Sequence, residues 1–303
     1  MKKHKTVVIG LSGGVDSSVA AFLLKKQGCK VIAVFMKNFS DKKDPITGEC
    51  SYLEDKKIAQ KVAALLEIPF FTLDYEKQYK KEVVKYMFDS YKKGITPNPD
   101  ILCNKSIKFP ALWKKADELG ADFIATGHYA KIKKTKDRYS LQRPKDTFKD
   151  QTYFLSDLSQ EDLSHTLFPL ASLKKSQVRE IAKKNKFPNW DKKGTSGVCF
   201  IGKIDFKSFL RSKIKEKEGK VLSPEGNIIG VHPGIYYFTI GERVGESKKI
   251  IINQEYKKNH SSEKLYIAKK IIKKNALIIA PKYHPLLKTK TINLDSIHLI
   301  NTK

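Results

Sequence analysis

The chain has 303 residues, 40% of them hydrophobic, enough for one large globular domain with a smaller companion and too much for a wholly disordered chain. Lys and Arg number 59 against 32 Asp and Glu, a net charge of +27 that fits either a solvated, lysine-biased surface or a polyanionic partner. No run of about 18 apolar residues occurs, so no membrane span is expected, and the short apolar run Val7 to Leu11 enters a glycine loop instead of a signal-peptide cleavage site, which favours a cytoplasmic protein.

Over the first 130 or so residues the pattern alternates between strand and helix. Lys5 to Leu11 reads as a buried strand, Val15 to Gln27 as a helix ended by Gly28, and Lys30 to Met36 as the next strand. Ile58, Val62, Leu65 and Leu66 keep helical spacing, and Phe70 to Leu73 is a short strand. Glu82 to Lys93 and Ile107 to Leu119 read as helices, Asp122 to Thr126 as a strand, and Lys174 to Lys186 and Asp205 to Lys213 as further helices. This alternation predicts an α/β fold with a parallel, doubly wound sheet. From about Gly219 short apolar runs are punctuated by turns: Ser223 to Asn227 is a turn, Val231 to Ile240 and Lys264 to Ile267 are strand-like, and Lys274-Asn275 separates two further runs. A small β-rich domain is expected there.

The strongest local signal is Ser12-Gly13-Gly14-Val15-Asp16-Ser17-Ser18, between a buried strand and a helix. The two glycines let backbone approach a phosphate, while hydroxyls and helix N–H groups face it and the helix dipole favours negative charge. It is neither a GK[ST] loop nor GxGxxG. The alternative, an ordinary glycine turn with a serine cap, explains an isolated SGG better than the whole SGGVDSS at such a junction.

The four cysteines, Cys29, Cys50, Cys103 and Cys199, form no CxxC pair and have no zinc-finger spacing. Cys29 reads as a small core residue, and Cys50 has no assigned role. Gly94 to Lys105, containing Thr96-Pro97-Asn98-Pro99-Asp100-Ile101-Leu102-Cys103-Asn104, reads as a proline-stiffened loop before a helix, with an acid and a thiol three residues apart. A thiol at a helix N-terminus beside Lys105 is expected to be more thiolate-like than a free cysteine, with Asp100 placed to accept or relay a proton. The second thiol segment is Gly197-Val198-Cys199-Phe200-Ile201-Gly202.

The SGGVDSS segment is similar to the PP-loop of the ATP pyrophosphatases. From Gly10 to about Gly245 the chain resembles, in one collinear order, the tRNA-specific 2-thiouridylases of bacteria and mitochondria. The landmarks are Phe35-Met36-Lys37-Asn38, the TPNPDILCN segment, Ala125-Thr126-Gly127-His128-Tyr129-Ala130, Lys149-Asp150-Gln151-Thr152-Tyr153-Phe154-Leu155, Phe168-Pro169-Leu170, Lys175 with Val178-Arg179, and Val198 to Gly202. The resemblance implies an adenine-nucleotide α-hydrolase-like catalytic domain over 1–206, a β-rich central domain over 207–285, and in 286–303 the stub of a C-terminal β-barrel that the family normally carries.

It also implies ATP-dependent 2-thiolation of the wobble uridine, with Mg²⁺ accompanying pyrophosphate. Gly10, Leu11, Ser12, Gly13, Gly14, Val15, Asp16, Ser17, Met36 and Gly127 then line the ATP site, and no resident metal site is expected. Asn98, Pro99 and Asp100 meet the target base, and His128, Lys149, Asp150 and Gln151 contact the anticodon stem-loop of tRNA. Cys199 carries a persulfide sulfur supplied by a cysteine desulfurase or sulfur-relay protein, and Cys103 either resolves it, leaving a Cys103–Cys199 disulfide, or releases sulfide from it. The chain departs from the family at Lys193-Gly194-Thr195-Ser196-Gly197, where an acid is missing, and at Glu242, where glutamine is usual. Competing readings are another PP-loop ligase, which does not need the two thiol segments, a decayed RNA-binding relative, and a zinc-binding RNA module.

Overall fold

The computed structural model of the chain describes residues 4–40, 51–192, 206–245, 249–260, 262–294 and 296–300. These fall into two compact units, one from Met1–Val84, Pro99–Lys203 and His298–Lys303, the other from Lys85–Asn98 and Ile204–Ile297.

The first unit opens with β1 (Thr6–Gly10), α1 (Val15–Lys26), β2 (Lys30–Lys37), α2 (Ser51–Leu65) and β3 (Phe70–Asp74). A short α3 (Glu76–Tyr79) runs into a π-helical turn at Lys80–Val84. After α4 (Lys85–Lys92), which belongs to the second unit, come α5 (Pro99–Cys103), a π-helical turn at Asn104–Lys108, α6 (Phe109–Glu118) and β4 (Phe123–Ala125). β5 (Lys131–Thr135) and β6 (Arg138–Gln142) form a hairpin, followed by α7 (Gln160–Ser164), β7 (Thr166–Leu167) and α8 (Lys175–Lys184). The main sheet has the order β3-β2-β1-β4-β7 with every neighbour parallel.

Val7, Val8 and Ile9 are fully buried because both faces of β1 are covered, the reason its sequence reads as an unbroken apolar run. Alternation sends Val7, Ile9, Val31, Ala33 and Phe35 to one face, where they pack with Val19, Leu24, Val62, Ala63, Val178 and Ala182 of α1, α2 and α8. α6 packs on β1 and β4, with Leu112 and Ala116 fully buried. The expected doubly wound sheet is present, and its order reverses between β1 and β4.

The second unit also contains α9 (Phe206–Arg211), β8 (Gly219–Leu222), β9 (Ile228–His232), β10 (Ile251–Ile252), α10 (Gln254–Asn259), β11 (Leu265–Ile271) and β12 (Ala276–Pro281). Its mixed sheet runs β10-β9-β8-β12-β11, the expected β-rich part. The turn at 223–227 forms, with Ser223 N–H bonded to Asn227 O at 2.9 Å. The expected strand from Val231 to Ile240 does not extend so far: β9 stops at His232 and Ile235–Tyr237 is a 3₁₀ turn. Pro233 has no N–H to give a ladder, so the apolar run breaks there.

Candidate active site

In an open α/β sheet, ligands bind outside the carboxyl ends of the strands where the strand order reverses. Here that point lies between β1 and β4, whose carboxyl ends carry Leu11 to Gly14 and Thr126 to His128. Leu11 is buried, and its N–H bonds Val34 O at 2.8 Å, so the chain turns at Ser12-Gly13-Gly14. Gly13 has φ +76°, and a Cβ there would stand 2.3 Å from the carbonyl oxygen of Asp55, so glycine is required on both counts.

α1 starts at Val15 with Gly14 as N-cap, and no side chain caps its first turn. The N–H groups that a serine cap would have taken are left without that partner. Ser17 Oγ instead donates to Gly14 O at 3.0 Å and accepts from Ser12 N at 3.2 Å, with Ser12 Oγ also at 3.2 Å. The ordinary-turn alternative predicted a serine cap, and the structure lacks one. On the other wall, a Cβ on Gly127 would lie 2.6 Å from Ser17 N, so the loop after β4 runs against the start of α1.

Asp16 is held from far along the chain. Lys175 Nζ, at the first residue of α8, lies 2.5 and 2.6 Å from its two oxygens, and the Tyr129 hydroxyl donates to Oδ1 at 2.8 Å. Burial, then the Asp16 charge, pushes the Tyr129 phenol far up, so it remains a donor. Asp146 accepts from Lys175 N at 2.8 Å, fixing the start of α8. Asn189, 1% exposed, donates to Gly13 O at 2.9 Å and Ser18 Oγ at 3.0 Å. Sequence reasoning assigned no role to these four: Tyr129 and Lys175 entered only as landmarks of the resemblance, and nothing local marks Asp146 or Asn189. Met36 is buried near the carboxyl end of β2, the strand beside β1.

The proline-stiffened segment is helical earlier than expected. α5 begins at Pro99 and runs through Cys103 into the π turn and α6, so the thiol ends the first helical stretch and does not precede it. Pro99 suits a first helical position, where its missing N–H loses nothing. Asp100 and Cys103, three apart on α5, share one helix face. Lys105, two residues beyond Cys103, is directed to another face and pairs with Asp157 at 3.2 Å. Cys103 is 1% exposed, and Asn98 ends the preceding segment of the second unit.

From the same helical run Asn104 donates to Phe154 O at 2.8 Å and accepts from Lys108 Nζ at 2.7 Å. Lys108 reaches His128 Nε2 at 3.5 Å, and His128 Nδ1 is 2.8 Å from Thr126 Oγ1. Desolvation, then Lys108, pushes the His128 pKa well below the usual imidazole value, so the ring is neutral; with Lys108 as donor, Nδ1 carries the proton. Phe109 stacks on it, centroids 6.1 Å apart.

Gln151 Oε1 accepts from Tyr129 N at 2.9 Å and Gln151 N donates to Tyr129 O at 3.0 Å, locking the loop after His128. Asp150 Oδ1 accepts from Thr152 N and Oγ1, while Oδ2 lies 3.3 Å from Arg143 Nε. Lys149 is exposed on the 3₁₀ turn Thr147–Lys149. Cys199, Cys50 and the segment 193–197 lie outside the described residues.

Two domain models match: a tRNA methyl transferase HUP domain over residues 5–203 and a tRNA methyl transferase PRC-barrel domain over residues 207–281. The tRNA-specific 2-thiouridylase MnmA 1 of Geobacillus kaustophilus is 44% identical over 300 residues, 99% of this chain and 78% of the relative. The namesake of Levilactobacillus brevis is 46% identical over 299 residues, 98% of this chain and 77% of the relative. The chain belongs to the tRNA-specific 2-thiouridylase family. The matched range 5–203 of this 2-thiouridylase-family chain carries the crevice, the Asp16 cluster and α5. Among solved structures, a 4-thiouridine synthetase–RNA complex with bound ATP aligns at TM-score 0.42 and 20% identity, covering 69% of this chain and 50% of that one. An NMN synthetase from Francisella tularensis aligns at 0.40 and 22%, covering 64% and 67%.

Proposed function

We propose that this chain uses ATP to replace the C2 oxygen of a tRNA uridine by sulfur, as the name tRNA-specific 2-thiouridylase says of its relatives. The observation that carries the ATP half is the uncapped start of α1, with the Gly127 loop packed against it, at the switch point of the sheet. Gly10 to Ser17, Met36 and Gly127 hold ATP, with β- and γ-phosphates on the α1 N–H groups. Asp16 is already engaged by Lys175 and Tyr129, which fits Mg²⁺ arriving on the phosphates with its waters better than a cage built by the protein.

Attack of the uridine O2 on the α-phosphorus releases pyrophosphate and turns a poor leaving group into AMP. Asn98, Pro99 and Asp100 position the base, and Asp100 takes its N3 proton. The terminal sulfur of a Cys199 persulfide adds to C2. Cys103 thiolate then attacks Cys199 Sγ, leaving sulfur on C2 and a Cys103–Cys199 disulfide; loss of AMP completes the C=S bond, and a thiol reductant restores both cysteines. The neutral His128, Lys149, Asp150 and Gln151 face the RNA, which presents its wobble base in a single-stranded loop, where flipping costs least. Residues 1–206 carry the chemistry and 207–285 a supporting β-rich part. A cysteine desulfurase or relay protein supplies sulfur in the cytosol.

The test supplies purified protein with ATP, Mg²⁺, a persulfide source and tRNA, and measures thiouridine, AMP and pyrophosphate. The wild type forms thiouridine; Cys103→Ala and Cys199→Ala do not, yet still release pyrophosphate. Thiouridine formed undiminished by either variant would overturn the two-thiol route, and AMP release without wild-type thiouridine would point to another PP-loop ligase.

A further inference from the structure

The hairpin β5–β6 has no part in the chemistry above. Its register pairs Lys131 with Gln142, Lys133 with Ser140 and Thr135 with Arg138, so these six side chains share one face. Ile132, Lys134, Tyr139 and Leu141 share the other. On that second face Ile132, Tyr139 and Leu141 are partly buried, and the edge of β6 is anchored: α7 packs on β6, and Gln160 clasps the Tyr139 backbone, accepting from N at 2.8 Å and donating to O at 2.7 Å. The first face carries three cations, no acid and no apolar residue, and Lys131, Lys133 and Arg138 are exposed. Among the described residues none of these three cations makes an ion pair.

The charge continues past the strands. Residues 131–149 hold eight Lys and Arg against two acids, and one acid, Asp146, is occupied by the backbone N–H groups of Lys175 and Phe148. Arg143 ties the exit of β6 to Asp150 at 3.3 Å. In the 3₁₀ turn that follows, Thr147–Lys149, the ring of Phe148 is 98% exposed, the setting of a base-stacking aromatic.

We infer that the Lys131–Lys133–Arg138 face of this hairpin is a second docking surface for the phosphate backbone of the substrate tRNA, separate from the site that holds the target base. The inference rests on the tRNA reading above. A protein partner fits poorly, because protein interfaces depend on a buried apolar or aromatic centre that this face lacks. A polyanion needs only regularly spaced cations, here two residues apart along a strand, or about 6.6 Å. Such contacts set affinity and orientation and leave the sequence of the RNA unread.

The experiment compares the full chain with K131Q/K133Q/R138Q, the charge-retaining K131R/K133R, and K26A/K30A/K184A. The last removes equal charge at the amino-terminal end of the parallel strands, where α1 and α8 end and β2 begins. Equilibrium tRNA affinity is measured between 50 and 200 mM salt, with KM for tRNA and kcat for thiolation. At a slope of about 0.7–0.9 per phosphate contact, losing three contacts shrinks the affinity drop over that salt range by roughly 20–40-fold. KM for tRNA rises at low salt while kcat holds, and the other two variants match wild type. Wild-type affinity and salt slope in the Gln variant overturn the inference. So does an unchanged tRNA affinity with a lost response to the sulfur-donor protein, which would make the face a protein site. Absence of thiouridine from the wild type refutes the catalytic reading alone, since the affinity comparison still decides the hairpin. Because the replaced side chains point to solvent, an unchanged melting temperature checks that the fold persists.

Discussion

Gly127→Ala separates a built crevice from a chance proximity. Gly127 has an ordinary backbone conformation, outside the positive-φ set, so alanine adds no dihedral strain and tests space alone. Its Cβ would stand 2.6 Å from Ser17 N, 2.8 Å from Asp16 C and 2.9 Å from Ser17 Cα, all main chain. Ordinary contact begins near 3.4 Å, so the loop and α1 must separate by about 0.8 Å. Neither yields cheaply, because β1, β4 and α1 are fully packed, and overpacking of this kind costs about 1–3 kcal/mol. A displacement near 1 Å in a preorganised site costs up to about 10²-fold in rate. We expect AMP release and thiolation to fall by about 10–10²-fold, with a drop of a few degrees in melting temperature. Gly10→Ala is the matched comparison for stability: its Cβ meets Leu112 Cδ1, a movable side-chain end, at 3.2 Å, and its effect on unfolding should stay under about 1 kcal/mol. Single-turnover AMP release and urea unfolding measure both effects. If Gly127→Ala keeps wild-type turnover and stability, Gly127 and α1 do not form the phosphate wall.

Lys175→Met removes the ammonium that holds both oxygens of Asp16 and leaves a partly buried carboxylate beside the proposed phosphate site. Stability should fall by about 1–3 kcal/mol and the KM for ATP should rise; Asp16→Asn in the same background should recover part of the stability loss, and additive losses in urea unfolding would refute the pairing. In the second unit, His232 is buried with Nδ1 accepting from Gly234 N at 3.1 Å and Nε2 donating to Asn275 O at 3.2 Å, and desolvation lowers its pKa from 6.5 to about 4. Between those values the unfolded chain holds a proton that the native one does not. Stability is therefore fully present above pH 6.5 and falls as pH drops toward 4, by at most about 1.4 kcal/mol per pH unit from this group. His232→Gln should flatten that part of the curve in urea titrations at pH 7, 6 and 5; an unchanged slope refutes it.

What could be read from the sequence is what sits close together in it. The glycine loop, its serines and the start of α1 span seven residues, Asp100 and Cys103 span four, and the strand–helix alternation needs only local periodicity. The hairpin escaped because Lys131 to Thr135 offers one partly buried apolar residue and no alternation, its outer face being cationic. The start of α5 escaped because Pro97 and Pro99 read as loop formers, although a proline is equally at home at the first helical position.

The contacts that arm the loop were not legible for a different reason. Lys175 lies 159 residues from Asp16, Tyr129 lies 113 from it, and Asn189 lies 176 from Gly13. Each joins the loop to a different later segment: the loop after β4, α8, and the turn that follows α8. Every one of those segments must be in place before the loop is braced, so the site completes only when the whole first unit has folded. A glycine loop braced in this way keeps its N–H groups fixed without relying on a side-chain cap, which would compete with an anion for the same groups. The missing cap on α1 and the distant braces are therefore one arrangement, and weakening a brace such as Asn189 should loosen nucleotide binding before it unfolds the sheet.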